Sequence, residues 1–224
     1  MTDSGVMPLD LLPPLLGGLA VSLQITAGAA GVALVMSLVA GLARLAPGAV
    51  VRAMAATYIE VFRGTSALVQ LFWVFFVLPF FGISVEPMAA GILVLGLNIG
   101  AYGSEVVRGA IQAVPAEQRE AAVALNLSPA RTLWGIVIPQ ALPVMVPPAG
   151  NLLIELLKST ALVSLITLGD LTFAAQALRA DTLRTPEIFS LVLLLYFAAA
   201  LLLSRGMRRL ERRLSIWRDV EAAG

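Results

Sequence analysis

The sequence predicts an all-α, polytopic membrane protein with five transmembrane helices. Three observations carry that prediction. The first is bulk: of 224 residues, 59% are hydrophobic and 13% charged, and mean hydropathy is +0.92. A soluble domain of this size needs more polar surface to cover its core. The second is segmentation into five apolar stretches, where a spanning helix needs about 20 apolar residues. The third is an asymmetry of basic residues between alternate connections.

The elements follow in order. Residues 1–16 form an outer segment with Asp3 and Asp10 but no Lys or Arg, so the positive n-region of a secretory signal is missing. The first span covers 17–43, ending before Arg44. The second is clearest at 67–81, with an apolar approach that begins near Val51. The third covers 87–107, the fourth 136–168 with a break at its prolines, and the fifth 188–204. The membrane domain thus runs over 17–207, and 208–224 is a C-terminal tail. With the N-terminus outside, the inner segments hold 12 basic residues: Arg44, Arg52, Arg63, Arg108, Arg119, Arg131, Arg205, Arg208, Arg209, Arg212, Arg213 and Arg218. The outer segments hold 2, Arg179 and Arg184. That imbalance predicts a multi-pass membrane protein with its C-terminus in the cytoplasm. The basic tail also suits anionic membrane lipid.

Composition excludes several functions. Net charge is +1, against a nucleic-acid partner. Cys and His are absent, which removes thiolate chemistry, the commonest metal ligand and the commonest general base. No G-x-x-x-x-G-K-[ST] loop is present, so the chain binds no nucleotide directly by that route.

The longest inner connection, 108–134, is too polar for lipid and too patterned for a slack loop. Pro115 suits the first turn of a helix. Glu117 and Glu120 follow near its positive end. Ala121, Ala122 and Leu125 fall on one side at helical spacing. Asn126 ends the helix in the left-handed conformation. Ser128 then caps a second helix with Pro129 at its first position. The reading is helix, sharp turn, helix: a docking element for a cytoplasmic partner, or an amphipathic helix on the membrane.

Glu120-Ala121-Ala122, Asn126 and Ile136-Val-Ile-Pro139 together resemble the EAA loop of ABC importer membrane subunits. Tyr58-Ile-Glu-Val-Phe-Arg-Gly-Thr65, Ala101-Tyr102 with Glu105-Val-Val-Arg108-Gly109, Leu156-Leu-Lys158-Ser-Thr160 and Leu210-Glu-Arg-Arg-Leu214 are similar to signatures of the polar amino acid permeases. The matches span roughly residues 17–214 in order. The chain departs from the family at Asn126 and Glu117, where Gly is usual, at Ser66, where Pro is, and at Ser159, where Asp follows the Lys.

This resemblance implies the MetI-like fold of type I ABC importers. It implies a coupling helix in which Glu120, Ala121, Ala122, Leu125 and Asn126 meet ABC ATPase subunits that hold ATP and Mg. It implies a second permease subunit, identical or related, an extracytoplasmic solute-binding protein, and a small zwitterionic substrate. That substrate is a polar amino acid or a compatible solute such as ectoine.

Membrane cost selects pathway candidates, because ionisable groups in spans face a cavity or a partner. Glu155 and Lys158, three residues apart on one helical face, either pair with each other or meet a zwitterion. Asn98, Tyr102, Gln70, Ser159 and Thr160 are weaker candidates, since such groups also bond neighbouring helices. Glu105 and Arg108 read as an ion pair with each other or with Arg63, in preference to a substrate contact. Pro139, Pro143, Pro147 and Pro148 free carbonyls, which lipid tolerates only inside protein or beside a water-filled cavity; the fourth span is therefore the expected moving, pathway-lining element, the alternative being a kinked packing helix with no transport role. Residues 169–186 read either as a short outer helix that touches the binding protein or as an ordinary loop. A secondary transporter or channel is the alternative, but no inverted repeat supports it. A membrane enzyme lacks paired carboxylates.

Overall fold

The computed structural model describes residues 10–222, with side chains as far as Leu214. The first nine residues and the side chain of Arg218 lie outside the described residues. Every regular element described is helical. The order is α1 (Leu12–Ala43), α2 (Ala49–Gly64), α3 (Ala67–Phe72), α4 (Pro87–Gln112), α5 (Ala116–Ala124), α6 (Pro129–Thr132), α7 (Ile138–Ser159), α8 (Leu171–Thr182) and α9 (Thr185–Ala222). Four continuous helical runs are long and apolar enough to cross a membrane: α1, α4, Pro129–Ile166 and α9.

The second span differs from expectation. The apolar run from Val51 is two helices, Ala49–Gly64 and Ala67–Phe81, meeting at 101°. Thr65 and Ser66 are extended there. Gly64, Thr65 and Ser66 are weak helix formers, and the Thr65 hydroxyl donates to the Val61 carbonyl at 2.7 Å. Arg63, grouped with the inner residues by sequence, stacks over the Tyr102 ring at 5.1 Å, partway along α4 rather than at its C-terminal end. Without it the basic census is still 11 against 2.

The fourth span differs too. Helix starts at Pro129, and α7 stays α-helical through Pro143, Pro147 and Pro148. The break lies earlier, in a π turn over Leu133–Val137 that ends with Ile138 N–H on the Leu133 carbonyl. Pro139 follows immediately. Its ring would collide with the carbonyl four residues back, and the wider π turn relieves that clash. The same pairing recurs before Pro79, where a π turn covers Trp73–Val77.

Small residues hold the bundle together. α1 buries Gly18, Ser22, Thr26, Ala29, Ala33, Ser37 and Gly41 along one stripe. α4 answers with Gly96, Gly100, Gly103 and Ser104. A Cβ at Gly96 would lie 2.6 Å from the Val32 Cβ, and one at Gly100 2.8 Å from the Met36 Cβ. The two backbones therefore approach too closely for any side chain, the usual solution where lipid supplies no hydrophobic drive. Around this pair, Ile25, Leu71, Leu95, Leu156, Val163 and Ile166 form the main apolar cluster. α9, by contrast, leaves Leu193, Leu194, Phe197 and Leu202 exposed, as lipid-facing residues are.

Candidate functional site

The connection between α4 and α7 is built as a rigid elbow. Pro115 is the N-cap of α5 rather than a residue of its first turn, and Glu117 lies in that turn. Asn126 adopts φ 53°. Its N–H donates to the Val123 carbonyl at 2.9 Å, and Leu127 N–H reaches the Ala122 carbonyl at 3.0 Å. This pair of bonds is the Schellman ending of a helix, with Asn where Gly is commonest. The Ser128 hydroxyl accepts from Arg131 N–H, with Pro129 at the first turn of α6. Arg119 donates to the Ile111 carbonyl at 2.6 Å, and Gln140 to Gln118 at 3.4 Å, so α5 is tied to both α4 and α7.

The face of α5 needs a correction. Ala122 is 1% exposed, turned into its own chain, so it does not share an open surface with Ala121 and Leu125. The open surface carries Glu120, Ala121, Val123, Ala124 and Leu125. Val123 and Leu125 are 72% and 73% exposed. Val123 was not singled out from sequence because helical spacing alone does not say which side of a short helix the loop covers.

The pathway candidates divide into separate groups. Glu155, Lys158 and Ser159 line one open groove of about 550 Å³ with Asn151, Ile154 and Leu162. Among the described residues neither Glu155 nor Lys158 forms an ion pair, with the other or elsewhere. Asn151 was missed, although it stands one turn before Glu155 and the i, i+4 rule would have found it. Pro147 lies three turns before Lys158, on the same side of α7, while Pro139 and Pro143 border a different cleft.

Asn98 and Gln70 have another setting. Asn98 donates to the Phe62 carbonyl at 2.9 Å and to Gln70 at 3.2 Å. Gln70 donates to the Phe62 carbonyl and to the Thr65 hydroxyl. Together they satisfy the backbone freed at the 101° bend and pin it to α4. Tyr102 lies under Arg63. Thr160 is fully buried and donates to the Leu157 carbonyl at 2.7 Å, away from the groove. Glu105 and Arg108 form the expected ion pair at 2.6 Å.

Residues 169–186 contain the expected helix, α8. Asp170 is fully buried and caps it, accepting from Thr172 N–H at 3.1 Å and Phe173 N–H at 3.0 Å. Burial pushes its carboxyl above the usual range, opposed by those backbone bonds. The Ser22 hydroxyl accepts from Leu171 N–H at 3.2 Å, which locks α8 onto α1.

The chain matches the family described as binding-protein-dependent transport system inner membrane component over residues 33–216. The probable amino-acid ABC transporter permease protein y4tF of Sinorhizobium fredii is 48% identical over 215 residues, 93% of this chain and 90% of that protein. The glutamine transport system permease protein GlnP of Escherichia coli is 38% identical over 208 residues, 92% of this chain and 94% of that protein. The crystal structure of an amino acid ABC transporter with histidines superposes with a TM-score of 0.86 at 34% identity, over 95% of this chain and 100% of that one. An inward-facing structure of the MetNI methionine ABC transporter gives 0.79 at 21% identity, over 96% and 99% of the two chains, and shows the MetI-like fold. The chain belongs to the family of binding-protein-dependent transport system inner membrane components: it is a multi-pass permease subunit of an ABC importer, in which ATP hydrolysis belongs to a separate ATPase.

Proposed function

We propose that this subunit carries polar amino acids, or small zwitterions of the same class such as ectoine, into the cell. Its N-terminus lies outside and its C-terminus inside. The observation that carries the substrate reading is the α7 groove. It sets one carboxylate and one ammonium, Glu155 and Lys158, on one open face without pairing them. Charges at membrane depth demand partners or water, and a zwitterion offers a partner to each. The relatives named as amino-acid permeases support the same class. One subunit supplies one wall; a second permease subunit, identical or related, closes the pathway.

The exposed face of α5, with Glu120, Ala121, Val123 and Leu125, docks on the ATPase. Its ties to α4 and α7 make it a lever rather than a tether. From Pro139 to Glu155 the helix runs about 24 Å, so motion at the loop reaches the groove along one rigid element. α8, held on α1 through Ser22, faces the binding protein.

The test is uptake by the complete importer in liposomes, with binding protein outside and ATP at the ATPase. Lys158→Met should lower uptake of a zwitterionic substrate while ATPase assembly persists. Unchanged uptake by Lys158→Met and by Glu155→Gln would remove the groove from the pathway.

A further inference from the structure

We propose that the basic end of α9 is a binding surface for anionic phospholipid headgroups. α9 begins at Thr185 and runs 38 residues, whereas about 20 residues cross the hydrocarbon layer. The helix therefore leaves that layer near Arg205. From there Arg205, Arg208, Arg209 and Arg213 recur at three- and four-residue steps, all exposed, so they stand on neighbouring rows over about two turns. Glu211 is the one acidic residue among them. None of these four arginines bonds to another described side chain or backbone group. Met207, between them, packs on Gly150 of α7. The inward side of α9 is thus taken, and the arginines are left to the surroundings.

A second feature selects lipid over other anions. Leu214, which follows Arg213 on the inward side of α9, lines a cleft of about 360 Å³ with Ala110, Val114, Gln140, Leu142 and Pro143. A largely apolar cleft at the end of the helix that carries the guanidinium groups matches a phosphate that carries hydrocarbon. Free phosphate has no use for the cleft. Arginine forks bind phosphate oxygens in pairs. The proposal goes beyond the transport reading and needs no assumption about the substrate.

The experiment is native mass spectrometry of the assembled importer, offered equal amounts of phosphatidylglycerol and phosphatidylcholine. The wild type should retain phosphatidylglycerol preferentially, by about fivefold for each arginine engaged. The combined variant Arg205→Gln, Arg208→Gln, Arg209→Gln and Arg213→Gln should lose the preference, and the matching Lys variant should keep most of it. If the combined variant does not assemble, each single Gln variant should lower retention about fivefold. Equal retention of the two lipids by wild type overturns the proposal. So does unchanged preference in the Gln variants, or complete displacement of the lipid by inorganic phosphate. Loss of the ATPase with lipid retention intact would also overturn it, and would make the stripe a protein contact. None of these readouts involves uptake, so their failure leaves the substrate reading standing.

Discussion

Replacing Asn126 by Val should uncouple the loop from the rest of the chain. Asn126 holds φ 53°, a conformation that costs an L-residue about 1–2 kcal/mol, with Asn favoured because its side chain bonds locally. A β-branched residue meets the full penalty. Leaving the left-handed region also releases the Asn126–Val123 and Leu127–Ala122 backbone bonds, each worth about 1 kcal/mol net and partly replaced by water. A loss of about 2 kcal/mol reduces the population of the ordered elbow about thirtyfold. Two measurements on the reconstituted importer follow this. Amide hydrogen exchange across residues 116–127 should accelerate, and uptake per ATP hydrolysed should fall. Asn126→Gly should match or exceed the wild type in both, since Gly adopts this φ freely. A Val variant with wild-type protection and wild-type coupling would refute the argument. Lost coupling with intact protection would show that the turn geometry is not the cause.

Leu125→Asp together with Val123→Asp should weaken co-purification of the ATPase while the chain still inserts, because both side chains are exposed on α5; undiminished co-purification would exclude this face. Gly96→Val places a Cβ 2.6 Å from that of Val32 and forces α1 from α4, so thermal stability in detergent should fall by about 1–3 kcal/mol; an unshifted transition would show that the helices part without cost. Asp170→Ala should cost about 1 kcal/mol through the lost cap, and Asp170→Asn close to nothing. The sign with pH is set by burial, which raises the folded carboxyl's pKa. Its stabilising contribution is full below the unfolded pKa and is lost as pH rises through the folded one. Thermal scans should therefore show the Asn variant gaining on wild type as pH increases, and a constant difference would contradict the shift.

Much of this was legible in the sequence because it depends on local chemistry. Asn126 as a left-handed stop and Ser128-Pro129 as a cap and first turn need no neighbours beyond a few residues. The apolar stretches and the basic census are likewise additive along the chain. Where the sequence reading failed, distant contacts were responsible. The bend at Thr65–Ser66 stands because Asn98 and Gln70, from α4 and α3, take up the freed Phe62 carbonyl. Ala122 turns inward because the returning chain covers one side of α5, which periodicity cannot indicate.

The pathway candidates show the same division. Membrane cost picked out Glu155 and Lys158 first and Asn98, Gln70 and Thr160 as weaker candidates, because a polar group is expensive in lipid wherever it points. Only the packing of the helices separates them: Thr160 into the core, Asn98 and Gln70 onto a broken backbone, Glu155 and Lys158 into an open groove. By itself the sequence determined that this chain lives in lipid, where its apolar stretches lie, and where the loop between α4 and α7 turns. Those follow from transfer energies and short-range geometry. The tertiary structure alone decided which polar groups are satisfied by the protein and which are left for something else, because satisfaction depends on partners that lie far away in the chain.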